Sequence, residues 1–406
     1  MSKTIAIIGG GAAGFFCAVN AARLNPSLRV LILEKSGKLL SKVKVSGGGR
    51  CNVTHACFDI EELAQRYPRG KNFVRKAFHR FYTKDTIEWF EKRGVKLKTE
   101  ADGRMFPVTD NSQTIMNCLF DEAARYGVEI RLHAAVTAIE HTSNSFELTI
   151  QNGEKLRADN VCIASGGFPK ENMFDWMKQM GHSIAAPVPS LFTFNLPNHD
   201  ITTLMGVSVP DATVKIAGTK LVQQGPLLIT HWGLSGPCVL KLSAWGAREL
   251  ASKNWHFTAL IQWLSAYNET ALRDAFAAFR LSLKGQKVHH KNPFGLPQRL
   301  WGYLLDTADV REETRWADLP AKQQNLLIKN LSAFECEVKG KTTFKEEFVT
   351  AGGINLSEID AHTMMSRKVP GLYFAGEVMD VDGITGGFNF QNAWTTGFIA
   401  ATEMAK

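Results

Sequence analysis

An α/β dinucleotide-binding domain, interrupted by a small β domain and a helical insert, is the fold this sequence predicts, and three observations predict it. Residues 4–34 read as strand, turn, helix and strand, with glycines at the turn. Short strand-like runs between Gly and Pro turns follow Pro187 and Pro189. A late strand, Leu372 to Ala375, leads through glycines into a helix that runs to the terminus.

The composition supports a globular core: 45% of the 406 residues are hydrophobic, 21% are charged and only 14 are proline. Disorder, collagen-like repeats and small disulfide scaffolds are excluded. At about 150 residues per domain the length allows two or three domains. Seven cysteines are scattered singly with no CxxC pair, so neither a disulfide framework nor a thiolate zinc site is encoded, and no metal is expected. The net charge of +8 suits anionic ligands, nucleic acid or membrane headgroups, or simply a solvated surface. No apolar run reaches the ~18 residues of a membrane span, no targeting segment is read ahead of the first strand, and the expected compartment is the reducing cytoplasm.

In chain order, Ile5 to Ile8 form an apolar strand, Ala12 to Leu24 a helix ended by Pro26, and Arg29 to Leu33 the second strand of a βαβ unit. The pattern is helical from Asp59 to Arg93 and again from Asn111 to Tyr126, where Ile115, Leu119 and Ala123 keep one face. Strands follow at 129–132, 136–140, 146–150 and 161–164. Beyond Pro189, residues 192–196, 213–216, 227–230 and 256–261 read as strands, and residues 268–332 as helices. Glu335 to Thr350 alternates again. The expected division is therefore residues 1–187 and 351–406 for the dinucleotide domain, 188–265 and 333–350 for a β domain, and 266–332 for the helical insert.

The chemistry is carried by three glycine clusters. Gly9, Gly11 and Gly14 stand as GxGxxG between the first strand and the helix that opens at Ala12 and Ala13, so bare backbone and a helix N-terminus can approach a pyrophosphate. Glu34 lies 20 residues beyond Gly14 at the end of the second strand, where a carboxylate can accept from both hydroxyls of an ADP-type ribose. Only one such fingerprint exists, so a separate nicotinamide domain is not expected. The second cluster, Gly47, Gly48 and Gly49 with Arg50, Cys51 and Asn52, follows a basic segment that includes Lys35 and Lys42, and can wrap backbone donors around an extended cofactor. In the third, Ala375-Gly376-Glu377 ends the late strand, Asp380 follows, and Gly387, Phe388, Asn389, Gln391, Asn392 and Ala393 open the final helix. An acid there can bind ribitol hydroxyls, and the helix N-terminus can face the flavin edge that gains negative charge on reduction. NAD has no counterpart for this element, so non-covalent FAD is the stronger reading.

SGGGRCN at 46–52, THWGLSGP at 230–237, TAGGI at 350–354 and the C-terminal GLYFAGEVMDVDG with GGFNFQNAW resemble the bacterial BaiN/RdsA-type flavoproteins, NAD(P)/FAD-dependent and aminoacetone-oxidase-like oxidoreductases, over essentially the whole chain. The resemblance implies an α/β Rossmann-like FAD domain of the two-dinucleotide-binding type built from both chain ends, with an inserted β-barrel domain and a small helical domain. It also implies adenine contacts near Ala135 and Val136 and cofactor contacts at Ser165, Gly166 and Gly167. The chain departs from that pattern at Leu40-Ser41, at His55 and in the short Phe168-Pro169-Lys170 loop, so substrate identity does not carry across.

The expected chemistry is hydride transfer through flavin N5 from NAD(P)H, bound transiently, to an activated C=C. The alternatives are an amine oxidase using O₂, reduction of uridine in ribosomal RNA, and a non-catalytic FAD-binding protein. The partner is thus a small molecule or ribosomal RNA. The candidate catalytic residues are His231, Arg50 and Cys51: a proton donor or inter-domain anchor, an anion binder or structural ion pair, and a redox thiol or buried hydrophobe, respectively. Phe388, Phe390 and Trp394 line the flavin or fill the core, and His289-His290 form a phosphate or metal patch or a solvated loop.

Overall fold

The computed structural model describes residues 3–142, 145–342 and 349–406. The chain divides into two compact units, Met1–Ser190 with Phe344–Lys406, and Leu191–Thr343. Residues 343–348, part of the alternating run from Glu335 to Thr350, lie outside the described residues.

The first unit is organised by a parallel five-stranded sheet of β1 (Thr4–Ile8), β2 (Arg29–Leu33), β3 (Glu129–Arg131), β4 (Asn160–Ile163) and β5 (Leu372–Phe374), in the order β5-β4-β1-β2-β3. Parallel strands covered on both faces need continuous apolar runs, which is why Ile5 to Ile8, Val30 to Leu33 and Val161 to Ile163 are all buried. Helix α1 (Ala12–Leu24) is buried nearly all round, from Ala13 to Ala22, because it lies between the sheet and the C-terminal helix. Glycine at 397 permits that contact: a Cβ there would sit 2.7 Å from the Ala13 carbonyl oxygen. Between β2 and β3 runs helix α2 (Lys71–Phe78), which buries Phe73, Val74, Ala77 and Phe78. The C-terminal helix is α3 (Phe388–Met404).

Smaller antiparallel pieces flank this core. Thr54–His55, Leu97–Thr99 and Arg104–Pro107 form one three-stranded sheet, and Val136–Thr142, Ser145–Ile150 and Lys155–Ala158 another. Ile184–Ser190 pairs antiparallel with Val349–Ile354, and a register shift between Ala185 and Val188 accommodates Pro187. The two prolines read as punctuation thus lie inside a strand.

The second unit holds a seven-stranded sheet, a helix Pro237–Trp245 followed by Ala247–Ser252, and the helices Glu269–Ser282, Gln298–Asp306 and Ala321–Ser332. At one end of the strand order stands Phe334–Lys339, paired with His256–Gln262, and at the other Lys341–Thr342, paired with Thr193–Asn195. Only Gly340 separates them. Its N–H donates to the Trp255 carbonyl and its own carbonyl accepts from Asn195 N–H. The unit's interior is aromatic: Trp263, Trp301 and Trp316 are fully buried, the last two stacked at 6.5 Å. Among the described residues no helix is long and apolar enough to cross a membrane.

Candidate functional site

The glycines of the first turn have distinct duties. A Cβ on Gly9 would lie 2.4 Å from the Ala164 carbonyl oxygen, and one on Gly14 only 1.9 Å from the Gly9 oxygen, so both positions are closed by backbone. A Cβ on Gly11 would meet nothing within 4 Å. Gly11 is also the N-cap of α1, which starts without a side-chain cap and without an acid in its first turn at Ala12 and Ala13. An uncapped helix N-terminus fronted by empty space is an anion cradle.

Glu34 stands beside that turn. Its carboxylate accepts from Gly10 N–H at 2.8 Å, Ser36 N–H at 2.9 Å and Ser36 Oγ at 2.8 Å. Ala134 N–H donates to the Glu34 carbonyl, which brings Ala135 and Val136 next to the acid, and the Ala135 carbonyl accepts from Gln151. Lys35 reaches over the ring of Phe168 at 5.8 Å.

The second cluster folds as a broken helix, Ser41–Gly49, whose dihedrals leave the helical region at Ser46, Gly47 and Gly48. Gly47, Gly48 and Gly49 all have positive φ, and Cβ atoms on Gly48 and Gly49 would point into open space, so backbone is presented without side chains. Arg50 is turned to the protein: its guanidinium donates to Glu100 at 2.6 Å, approaches Asp110 at 3.6 Å and stacks 4.0 Å from the Phe106 ring. Of the two readings given to Arg50, these contacts support the structural ion pair. Cys51 is fully buried, and burial pushes its thiol up to about 12. A buried neutral thiol is a poor nucleophile, so the surroundings of Cys51 support the buried-hydrophobe reading. All seven cysteines are buried and free, so thiol titration of the native protein near neutral pH is expected to show no fast-reacting group and to reach seven on unfolding. One thiol reacting at a free-cysteine rate would contradict this burial. Asn52, with its amide oriented to suit its neighbours, donates to the Thr54 and Met105 carbonyls and accepts from Gly387 N–H at 3.0 Å.

The C-terminal cluster closes onto both others. A Cβ on Gly376 would lie 2.9 Å from Ala13 Cβ, at the start of α1. Glu377 accepts from Lys42 Nζ at 2.7 Å and from Thr350 N–H at 2.8 Å. A Cβ on Gly167 would lie within 2.7 Å of both Thr350 Oγ1 and Glu377 Oε1, and Gly166 has positive φ. Asp380 N–H donates to the Ile354 carbonyl. Gly387, with positive φ, is the N-cap of α3 and offers no side-chain cap. Phe388 stacks on His55 at 4.7 Å, and Asn389 bridges the Gly383 N–H and carbonyl. Gln391 turns inward, accepting from Thr54 and Thr86 and donating to Thr395. Trp394 is fully buried and donates to the Val53 carbonyl, with Phe390 stacked on it. Ala393 is buried beside it.

Residues 9–14, 34, 40–52, 164–167 and 376–393 are thereby linked by direct contacts within one unit. The Leu40 N–H bond to the Gly10 carbonyl and the Lys42 pair with Glu377 complete the circuit. Of nine buried polar side-chain atoms without a hydrogen-bond partner among the described residues, three lie on this circuit: Ser165 Oγ, Thr350 Oγ1 and Asn392 Oδ1. Buried polar atoms are rarely left so, and a large polar ligand is what these three fit. The open cradle at Gly11 and the bare glycine backbone at 48–49 fit its phosphates.

His231 belongs to the second unit, where it is exposed and packs edge-on against Trp232 at 4.3 Å. His289 is bonded at 2.8 Å to the Val310 carbonyl, and among the described residues no group of three or more His, Cys, Asp or Glu could hold a metal. A buried ion pair escaped the sequence reading: Arg69 forks onto both oxygens of Asp382, whose second oxygen also accepts from Ser190. The acid stands within the C-terminal motif, but its partner lies 313 residues away. Thr350 was likewise missed as a site residue, although TAGGI was singled out as a motif.

A family model described as HI0933-like protein Rossmann domain matches residues 3–403. The chain is 32% identical over 409 residues to a ribosomal RNA dihydrouridine synthase of Escherichia coli, covering 98% of this chain and 97% of that one. It is 27% identical over 410 residues to a 3-dehydro-bile acid delta(4,6)-reductase of Clostridium scindens, covering 99% of each. Among solved structures, a 3-ketosteroid-Δ4-(5α)-dehydrogenase from Rhodococcus jostii superposes with a TM-score of 0.52 at 13% identity, covering 100% of this chain and 97% of that one. That likeness is one of fold.

Proposed function

The chain belongs to the HI0933-like Rossmann family, and from that premise we propose that it is an FAD-dependent oxidoreductase that reduces a conjugated C=C, namely the uracil ring of a uridine in ribosomal RNA. The observation that carries the cofactor assignment is the circuit joining the N-terminal glycine turn to the C-terminal Ala-Gly-Glu turn around three unpartnered buried polar atoms.

In this reading Gly11 and the N-terminus of α1 hold the pyrophosphate, Glu34 the adenosine ribose, and Ala135 and Val136 the adenine. Ser165, Thr350 and Asn392 donate to or accept from the cofactor's polar groups. Glu377, oriented by Lys42 and Thr350, would hold the ribitol chain, and the N-terminus of α3 at Gly387 would supply positive potential to negative charge on the reduced ring. Gln391 and Asn389 shape the loop from inside, Asn389 by its bridge to Gly383 and Gln391 through its buried hydroxyl network. When bound, FAD supplies two-electron redox chemistry between a pyridine nucleotide and the electron-poor C=C. The sheet of the second unit, joined through Gly340, is read as the inserted barrel, and the helices Glu269–Ser282, Gln298–Asp306 and Ala321–Ser332 as the helical insert.

The relatives support this acceptor. Dihydrouridine differs from uridine by two hydrogens across one ring double bond, and the relative named for that product matches at the higher identity over nearly its whole length. The test is anaerobic. The protein as purified is expected to be yellow and to release FAD on heating, to bleach with NADH or NADPH, and to be reoxidised by protein-free ribosomal RNA with formation of dihydrouridine detectable by mass spectrometry. Release of FMN, of NAD or of no chromophore overturns the cofactor. Bleaching only by an amine, with reoxidation only by O₂, overturns the reductase reading.

A further inference from the structure

The chain's excess of positive charge is concentrated. Between Leu63 and Lys84 there are seven Lys and Arg and no Asp or Glu, against a net charge of +8 for the whole protein. The stretch comprises the loop before α2, α2 itself and the start of the following helix, and its apolar side chains Phe73, Val74, Ala77 and Phe78 face inward. Arg69, Arg75 and Arg80 are paired with Asp382, Glu61 and Glu403. Arg66, Lys71, Lys76 and Lys84 are exposed and make no ion pair among the described residues. Lys71 and Lys76, together with Arg367, which is paired with Asp360 at 3.4 Å, line a cavity of about 440 Å³ that has no acidic lining residue. A cavity of about 400 Å³ elsewhere on the same unit mixes five cations with three acids, so the absence of acids is particular to this one.

The stretch is also attached to the proposed cofactor site. The Arg66 carbonyl accepts from Ile384 N–H at 3.0 Å, and Tyr67 Oη donates to the Phe388 carbonyl at 2.6 Å. A Cβ on Gly70 would lie 2.6 Å from Val381. Whatever polyanion lies on these cations is held next to the turn that leads into α3.

We propose that this basic arc, from Arg66 through Lys71 and Lys76 to Lys84, is the surface that grips the phosphate backbone of the RNA substrate; the identity of the partner as RNA rests on the functional reading above. Four unpaired cations along one acid-free stretch, two of them lining an acid-free cavity, match a chain of phosphates. An anionic membrane surface would call for an apolar anchor as well, and among the described residues the stretch exposes no large hydrophobic side chain.

The test uses the holoprotein, fluorescein-labelled oligouridine and fluorescence anisotropy over a salt series. The parent is expected to bind with a steep salt dependence. The variant K71Q/K76Q/K84Q is expected to bind about tenfold or more weakly at low salt, with a log–log salt slope shallower by about 2, from roughly 0.7 per lost phosphate contact on a single strand. Its FAD content and its bleaching by NAD(P)H should equal the parent's, which separates loss of the surface from loss of the fold. Parent-like affinity and slope in the variant overturn the proposal, as does equally tight, equally lysine-dependent binding to phosphatidylserine vesicles. If the arc binds RNA but its uridines are never reduced, the surface stands and the acceptor assignment falls. If uridines are reduced equally well by parent and variant, the surface falls and the acceptor stands.

Discussion

Gly11→Ala is expected to abolish FAD retention while leaving the melting temperature of the apoprotein unchanged, and Gly14→Ala is expected to unfold the first unit's core. The two glycines lie three residues apart in one motif, yet their surroundings differ in kind. At Gly11 the backbone is extended, with φ −93° and ψ −170°, and the added methyl meets no protein atom within 4 Å. Alanine fits there without strain, and the only thing it displaces is a ligand drawn close to the backbone. At Gly14 the methyl would sit 1.9 Å from the Gly9 carbonyl oxygen and 3.5 Å from Ile7 Cγ2. The obstacle is backbone, so relief requires moving α1 away from β1. The cost should reach or exceed the top of the roughly 1–3 kcal/mol usual for overpacking. Thermal melts of both apoproteins, with bound flavin measured by absorbance, check this. Gly11→Ala that retains FAD at parental affinity contradicts the cradle.

Arg69→Ala is expected to cost about 3–5 kcal/mol of stability near neutral pH, the range for removing one partner of a buried ion pair. Asp382 is fully buried and Arg69 nearly so. Without the guanidinium, Asp382 keeps among the described residues only Ser190 as a side-chain partner. Burial already holds the Asp382 carboxyl above its usual value, with Arg69 pulling the other way. Deleting Arg69 leaves the upward push opposed by the Ser190 hydrogen bond alone. A carboxyl whose folded pKa exceeds its unfolded one binds its proton more tightly in the folded state. The penalty is therefore fully present above the raised folded value, and it shrinks as pH falls toward the ordinary carboxylate range. Urea unfolding of parent and Arg69→Ala at pH 8 and pH 5 should give a smaller difference at pH 5. A difference independent of pH would show that the loss is of packing rather than of charge compensation.

The parts of this protein that were legible in its sequence are those whose partners lie close in the chain. The βαβ unit follows from apolar runs and glycines within thirty-odd residues, and the register Ile5 to Val30 and Ile8 to Leu33 bears it out. Glu34 was placed by spacing alone, and the structure sets it against Gly10. What spacing cannot give is the partner of a polar side chain hundreds of residues away. Arg50 reads equally well as an anion binder until Glu100 and Phe106 are seen beside it. Gln391 sits in a motif rich in amides, but Thr54 and Thr86 decide which way it faces. The strand Ile184–Ser190 was hidden by its two prolines, which a two-stranded ladder with a register shift tolerates.

FAD titration of apo Glu377→Ala, with apo Glu34→Ala as its control, tests the central claim that both chain ends build one flavin site. Glu34→Ala should weaken binding by roughly 1.5–3 kcal/mol, the value of a charge-assisted hydrogen bond, with the absorbance of the saturated protein nearly unchanged. Glu377→Ala should weaken binding and also alter the flavin absorbance or its rate of reduction, because Glu377 ties Lys42 to Thr350 where the ribitol chain is assigned. Parental affinity and an unperturbed spectrum in Glu377→Ala would contradict the account.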